Sequence, residues 1–271
     1  MTTNIKNIIT DTIKEIILNS TSSQNINKLI IKHEKKVHFV PFRYRIINGV
    51  LQGLNIKFGN FIESLISKII ELDPNVELLS DSGKKTRLFL TAETDALIDE
   101  YITSRQLPNS ADDCTQEFNA LLKKIIDTEN LANGTKRQGI TKDIDCLFRA
   151  NTGKIVYTEI KYNDDHDTGK FADINRKFIK TWAGLAVKLN VKNYQDLMPI
   201  LYYFNPTKRY GPIHVPSQNI MRGTQLFDEF LNTKYSMLDF HLRSISNDPE
   251  ILKIFDDFYH EVRNGKIERS S

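Results

Sequence analysis

Cysteine is scarce in this chain, and long apolar runs and any strong excess of charge are missing. Each absence closes a class of explanation. Two cysteines in 271 residues, Cys114 and Cys146, offer neither a disulfide framework nor a zinc set, which points to a reducing compartment, the cytoplasm. The N-terminal isoleucines Ile5, Ile8, Ile9, Ile13, Ile16 and Ile17 are interrupted by Asn4, Lys6, Asn7, Asp11, Lys14 and Glu15. That spacing predicts an amphipathic helix and excludes a signal peptide or a membrane span. A GxxxxGK[ST] loop, a GxGxxG after a strand, HExxH and HRDxxxxN are all missing, so nothing suggests a P-loop enzyme, a dinucleotide enzyme, a zinc protease or a kinase. With 37 basic and 34 acidic residues, a net charge of +3 and a pI near 8.6, contact with a polyanion is permitted but must come from local clustering.

What is present is concentrated in Lys142-Asp143-Ile144-Asp145-Cys146-Leu147-Phe148 and, after a turn, Ile155-Val156-Tyr157-Thr158-Glu159-Ile160-Lys161. As a hairpin with period-two alternation, Asp143, Asp145, Glu159 and Lys161 share one face. Ile144, Cys146, Phe148, Val156, Thr158 and Ile160 share the other. The connecting Ala150-Asn151-Thr152-Gly153-Lys154 is rich in turn formers, with Gly153 available for positive φ. A three-residue loop, Asn151 to Gly153, sets Asp145 opposite Glu159 and Asp143 opposite Lys161. At opposed positions the Cβ atoms lie roughly 4.5–5.5 Å apart, and a slip of one residue would separate the acids. Two carboxylates so close repel unless a cation or a proton lies between them, and an oxygen-rich site suits Mg²⁺.

The predicted ligands are Asp145 and Glu159 with the carbonyl of Ile160. Asp143 is the rival of Asp145 as the aspartate ligand. Lys161, on the same face, is placed to orient or help deprotonate an attacking water and to stabilise charge on a pentavalent phosphorus. That set describes phosphodiester hydrolysis. The bland alternative is a solvated hairpin with an interstrand salt bridge.

At these residues the chain resembles the PD-(D/E)xK nuclease superfamily, and most closely its type II restriction endonucleases. Asp145 matches the first acidic position, Glu159-Ile160-Lys161 the second motif, and a helix and strand follow as they do in that superfamily. Ile144 stands where the family often has proline. The segment Phe58-Gly59-Asn60-Phe61-Ile62-Glu63-Ser64-Leu65 is similar to the family's first core helix, which often adds a Glu near the metal, here Glu63. The resemblance implies a Mg²⁺-dependent, site-specific endonuclease that cuts double-stranded DNA as a homodimer and leaves 5′-phosphates and 3′-hydroxyls. It implies a restriction-endonuclease-like core and, with it, a restriction-modification role. Two alternatives remain: a structure-selective nuclease such as a junction resolvase, and a DNA-binding protein that keeps the scaffold without catalysis.

Downstream, Phe171, Ile174, Phe178, Trp182, Leu185 and Leu189 recur at helical spacing, with Arg176, Lys177, Lys180 and Lys188 mostly off that face and Asn190 able to end the helix. Met198 to Phe204 is a short apolar run stopped by Asn205-Pro206, as a buried strand would be. Strand, helix, strand predicts a right-handed crossover with parallel strands. The expected fold class is therefore α/β: a mixed central sheet flanked by helices, with additional helical elements.

Further helices are expected at Ile56–Leu72, Glu93–Arg105 and Thr115–Ile126, with closing helices through Leu226–Leu231 and Ile251–Tyr259. The expected division is 1–55 as an N-terminal helical segment, 56–206 as the catalytic core with a helical insertion, and 207–271 as a C-terminal loop and helices for recognition or dimerisation.

Candidate DNA contacts lie around the hairpin. Tyr162 to Lys170 is read either as a loop that meets phosphates or bases through Asn163, His166, Thr168 and Lys170, or as a polar turn and helix cap. Lys136 and Arg137 lead into the hairpin, and Lys208 and Arg209 follow the last core strand. Arg222 and Gln225 are suited to guanine and adenine edges. Lys84, Lys85 and Arg87 form one of several further basic clusters, each of which also reads as a solvated face.

Overall fold

The computed structural model describes residues 3–81, 85–106, 113–132, 137–163, 168–206 and 214–264. The chain opens with α1 (Thr3–Thr21), α2 (Ser23–Glu34) and α3 (Phe42–Leu72), then β1 (Val76–Asp81), β2 (Lys85–Leu90), α4 (Ala92–Ser104) and α5 (Thr115–Leu131). It continues with β3 (Gln138–Asp143), β4 (Cys146–Ala150), β5 (Ile155–Lys161), α6 (Thr168–Lys188), β6 (Leu197–Tyr203) and β7 (Ile220–Arg222), and closes with α7 (Thr224–Phe230), α8 (Tyr235–Ser246) and α9 (Pro249–Arg263).

Two compact units share this chain, Met1–Phe61 with Lys234–Ser271, and Ile62–Thr233. The first joins the two ends of the sequence, so the expected divisions after 55 and after 206 do not coincide with it. The reason is the apolar stripe of α1: Ile9, Ile13 and Ile17 are buried, Lys14 pairs with Glu250 of α9, and Thr10 meets His241 of α8. Arg45 is buried there, donating to the carbonyls of His33 and Lys36 beneath the Phe42 ring, so it closes the turn between α2 and α3. At the C-terminal end, Asp248 caps α9 and Pro249 occupies its first turn, where a missing N–H costs nothing.

The second unit holds a five-stranded mixed sheet in the order β1-β4-β5-β6-β7 and a two-stranded ribbon of β2 and β3. β4 and β5 form the expected hairpin. Ala150 N–H donates to the Lys154 carbonyl and Gly153 N–H to the Ala150 carbonyl, and Gly153 has φ 83°, a conformation that favours glycine. Cys146 pairs with Thr158 and Leu147 with Tyr157, so the residue before β4, Asp145, stands level with Glu159.

One expectation for this hairpin fails, and so does its bland alternative. The first strand does not run on through Asp143: it bends at Ile144 and Asp145, and β3 pairs with β2, so that Asp143 faces Lys85 rather than Lys161. Nor is the charged face solvated. Every residue from Val156 to Ile160 is buried, because α6 covers the Tyr157 and Glu159 side, where Tyr157 stacks on Phe178.

On the other side of the sheet, Phe148 and Tyr202 meet Phe230 and Phe227 of α7. Helix α6 carries the crossover. Phe178 and Trp182 are fully buried, the Trp182 indole donates to the Leu197 carbonyl at 2.8 Å, and β6 lies parallel to β5 with Lys161 opposite Tyr203. Asn190 ends the helix at φ 54°. Val191 N–H reaches back to the Ala186 carbonyl and Asn190 N–H to Val187, the Schellman pattern that satisfies the last carbonyls of a helix. None of the described helices is long and apolar enough to cross a membrane.

Candidate active site

Four charged side chains meet at the carboxyl end of β5. Asp145 enters from the bend between β3 and β4, Glu159 and Lys161 from β5, and Lys177 from α6. The Lys161 ammonium lies 2.8 Å from Glu159 Oε1 and 3.3 Å from Asp145 Oδ2, and it donates to the Ile160 carbonyl at 2.8 Å. The Lys177 ammonium lies 2.6 Å from Glu159 Oε1 and 3.7 Å from Asp145 Oδ1. Both acids are held from behind: Ile160 N–H donates to Asp145 Oδ2 at 2.9 Å, and the Tyr157 hydroxyl donates to Glu159 Oε2 at 2.8 Å. The Asp145 carbonyl accepts from Ser67 Oγ on α3 at 3.1 Å.

Such placement is costly. The Glu159 side chain is wholly buried and that of Asp145 is 3% exposed, and a carboxylate withdrawn from water is tolerated only when paired. Burial pushes the Glu159 carboxyl up, but Lys161 and Lys177 outweigh it and hold the group below the usual range. Asp145 is raised, first by burial and then by the charge of Glu159. Burial pulls both lysines down, yet Glu159 and Asp145 more than compensate, and both titrate above the ordinary value. Glu63, half-buried on α3, is pushed up to about 7 by burial and by the negative charge of Asp145. Groups perturbed by burial together with neighbouring charge cluster at functional sites.

The donor set fits a divalent cation. Oxygens of Asp145, Glu159 and Ile160 already converge on one positive charge, the Lys161 ammonium. Among the described residues no group of three His, Cys, Asp or Glu side chains has metal-ligand geometry. An oxygen-only set of this kind, two carboxylates and a backbone carbonyl, is the donor chemistry that hard divalent cations take.

The other predicted site residues are placed as follows. Asp143 is exposed on the ribbon. Arg137 donates to the Glu129 carboxylate and carbonyl, each at 2.9 Å; because Glu129 also accepts from the N–H and hydroxyl of Thr91, the residue that caps α4, Arg137 ties the chain before β3 to α5 and α4. Arg222 lies level with Lys161 two strands away, through Tyr203, with its guanidinium 4.4 Å from the Tyr203 ring centre. Gln225 accepts from Arg222 N–H at 2.7 Å and so serves the turn into α7. Asn163 is half-buried just past β5, Thr168 opens α6, and Lys170 is exposed in its first turn. Lys136, His166, Lys208 and Arg209 lie outside the described residues.

Lys177 is the member that reading the sequence missed. A signal was available: it falls three residues after buried Ile174 and four before buried Thr181, so it continues the covered side of α6 and not the open one.

Comparison with known proteins adds an independent line. Residues 1–246 match the family described as "Type II restriction endonuclease, HinfI". The type II restriction enzyme HinfI of Haemophilus influenzae is 43% identical over 268 residues, 97% of this chain and 98% of that enzyme. No solved structure matches the chain.

Proposed function

Since the chain belongs to the HinfI family of type II restriction endonucleases and is a site-specific deoxyribonuclease, we propose that its centre is the quartet Asp145, Glu159, Lys161 and Lys177, working with Mg²⁺ on double-stranded DNA. One observation carries the assignment of residues: two buried carboxylates and a backbone carbonyl, brought together from the bend before β4 and from β5, aim at one cation.

Type II restriction enzymes generally use a divalent metal; Asp145, Glu159 and the Ile160 carbonyl would hold Mg²⁺, which would supply Lewis-acid polarisation of a phosphate oxygen. The chain's own groups do the rest. Tyr157 and the Ile160 amide fix the two carboxylates, so little reorganisation accompanies the reaction. Lys161, kept in its ammonium form by its acidic neighbours, orients the attacking water and offsets charge on the phosphoryl oxygens. Water gives up a proton as its oxygen bonds to phosphorus and the bond to the 3′ oxygen breaks, and that departing oxygen takes up a proton from solvent, which leaves a 5′-phosphate and a 3′-hydroxyl. Lys177 shields Glu159 from Asp145, and Glu63 stands by as an auxiliary ligand once ionised.

Arg222, Lys170 and Asn163 flank this end of the sheet as DNA contacts, while Arg137 and Gln225 act by holding local structure. A cytoplasmic homodimer, one copy per strand, completes the reading. Incubating plasmid DNA with the protein, with and without Mg²⁺, tests it: discrete fragments only with the metal are expected. Cutting confined to branched DNA would make the protein a resolvase, and DNA binding without any cutting would make it a non-catalytic binder. Sedimentation of the protein with and without DNA checks the dimer.

A further inference from the structure

The ribbon of β2 and β3 has a face that folding does not account for. Its inner side, with Leu88 and Leu90, is buried and presses so closely on α6 that a Cβ on Gly184 would stand 2.6 Å from that of Leu88. Its outer side presents Lys85, Arg87 and Phe89 opposite Asp143, Thr141 and Gly139 in that order, all exposed. The Arg87 guanidinium lies 5.3 Å from the centre of the Phe89 ring. It also covers Gly139, where an added Cβ would come within 2.8 Å of Arg87 Nε. The missing side chain at 139 thus makes a floor, and the ring makes a second surface, that hold a cationic fork flat on an exposed strand pair. A planar guanidinium held this way is prepared for bidentate contact with base edges or phosphate.

We propose that this outer face is a DNA-contacting surface that seats in the major groove beside the cleaved bond, with Arg87 as its anchor. The inference rests on the endonuclease reading above. Three features favour a duplex as occupant. A major groove about 12 Å wide admits a two-stranded β-ribbon. Lys85 and Arg87 supply charge of the required sign. The ribbon is also continuous with the active site, since β3 ends two residues before Asp145. Thr141, the partner of Arg87, precedes Asp145 by four residues, at most about 13 Å at ~3.3 Å per residue, or about four base pairs at ~3.4 Å each. Arg87 is therefore within a short recognition site of the bond being cut.

The test uses the intact protein. Fragment ends from wild-type digestion locate the cut site, and a 30-base-pair duplex carrying it is the binding probe, without Mg²⁺. Arg87→Ala is expected to weaken binding at least tenfold, with an unchanged melting temperature and a salt dependence shallower by about one unit of slope. Gly139→Val, a substitution that strands accept, leaves Arg87 in place but lifts it from its floor, and is expected to reproduce the loss. A relaxed fragment pattern with Arg87→Ala assigns the contact to a base edge, and an even loss at every site assigns it to phosphate; either supports the surface. Both variants binding and cutting as wild type does would overturn it. A wild-type protein that does not cut DNA at all would instead sink the endonuclease reading.

Discussion

The two ends of the β4–β5 hairpin carry the same kind of contact with opposite consequences. Near the turn, Arg149 and Glu77 pair at 3.1 Å with side chains 45% and 65% exposed. At the far end Lys161 and Glu159 pair at 2.8 Å with side chains 18% and 0% exposed. Water and salt screen the first, and such pairs contribute about 0–1 kcal/mol. The second is one link in a buried set, where removal of one partner strands the charge of another. Distance alone does not separate a surface ornament from a working site; burial and the number of converging groups do.

The largest expected effect is at the buried end. Lys161→Ala should lower the cleavage rate by about 10²–10⁴-fold, read from plasmid linearisation at saturating Mg²⁺, and a rate within twofold of wild type would take Lys161 out of the reaction. Glu159→Gln should abolish cutting and also destabilise the metal-free protein, since Lys177 then has no ion pair with residue 159. Breaking a buried pair costs about 3–5 kcal/mol, with the lower end expected because the Lys177 side chain is 32% exposed. Urea unfolding measures it.

Lys177→Gln should leave two acids facing one ammonium. Its metal-free melting temperature should fall, and Mg²⁺ should raise that temperature by more than it does in wild type; equal Mg²⁺ responses would show that Lys177 does not offset the pair.

A smaller effect tests Glu63. Burial and the neighbouring acids push its carboxyl up to about 7 in the folded protein from the ordinary value of 4.5. Between those values the folded state binds more protons, so stability falls as pH rises through the window and levels off above it. In EDTA, the melting temperature of Glu63→Gln relative to wild type should therefore climb from pH 5 to pH 8. A flat difference would mean that Glu63 is not set against the other acids. The smallest effect closes the comparison: Arg149→Ala should cost at most about 1 kcal/mol and leave the cleavage rate unchanged.

Much of this arrangement could be read before any coordinates were available. Alternation in Cys146–Phe148 and Val156–Ile160, together with a turn that wants Gly153 at positive φ, decides the register, and the register brings Asp145 level with Glu159. The helical spacing from Phe171 to Leu189 and the apolar run that follows give α6 and β6. The bend at Ile144 was hidden for a physical reason: Asp143 to Cys146 alternates acid and apolar residues straight across it, and alternation says which face a residue takes, not which strand it pairs with. β1 and β2 went unassigned, so β3 was left without its true partner. The burial of Glu159 was equally opaque, because a strand covered on both faces tolerates a charge only where a counter-charge meets it, and the lysine that does so lies on the next helix, whose packing over the strand exists only in three dimensions. For the same reason Arg137 read as a DNA contact: Glu129, which claims it, looks on its own like any helix acid.

The bond from Ser67 to the Asp145 carbonyl has a consequence for redesign. Asp145 sits at the joint between two ladders, yet it is fastened by a helix that belongs to neither. A foreign pair of strands grafted over residues 85–90 and 138–143, with the buried leucines kept, should therefore leave this anchorage of Asp145 in place.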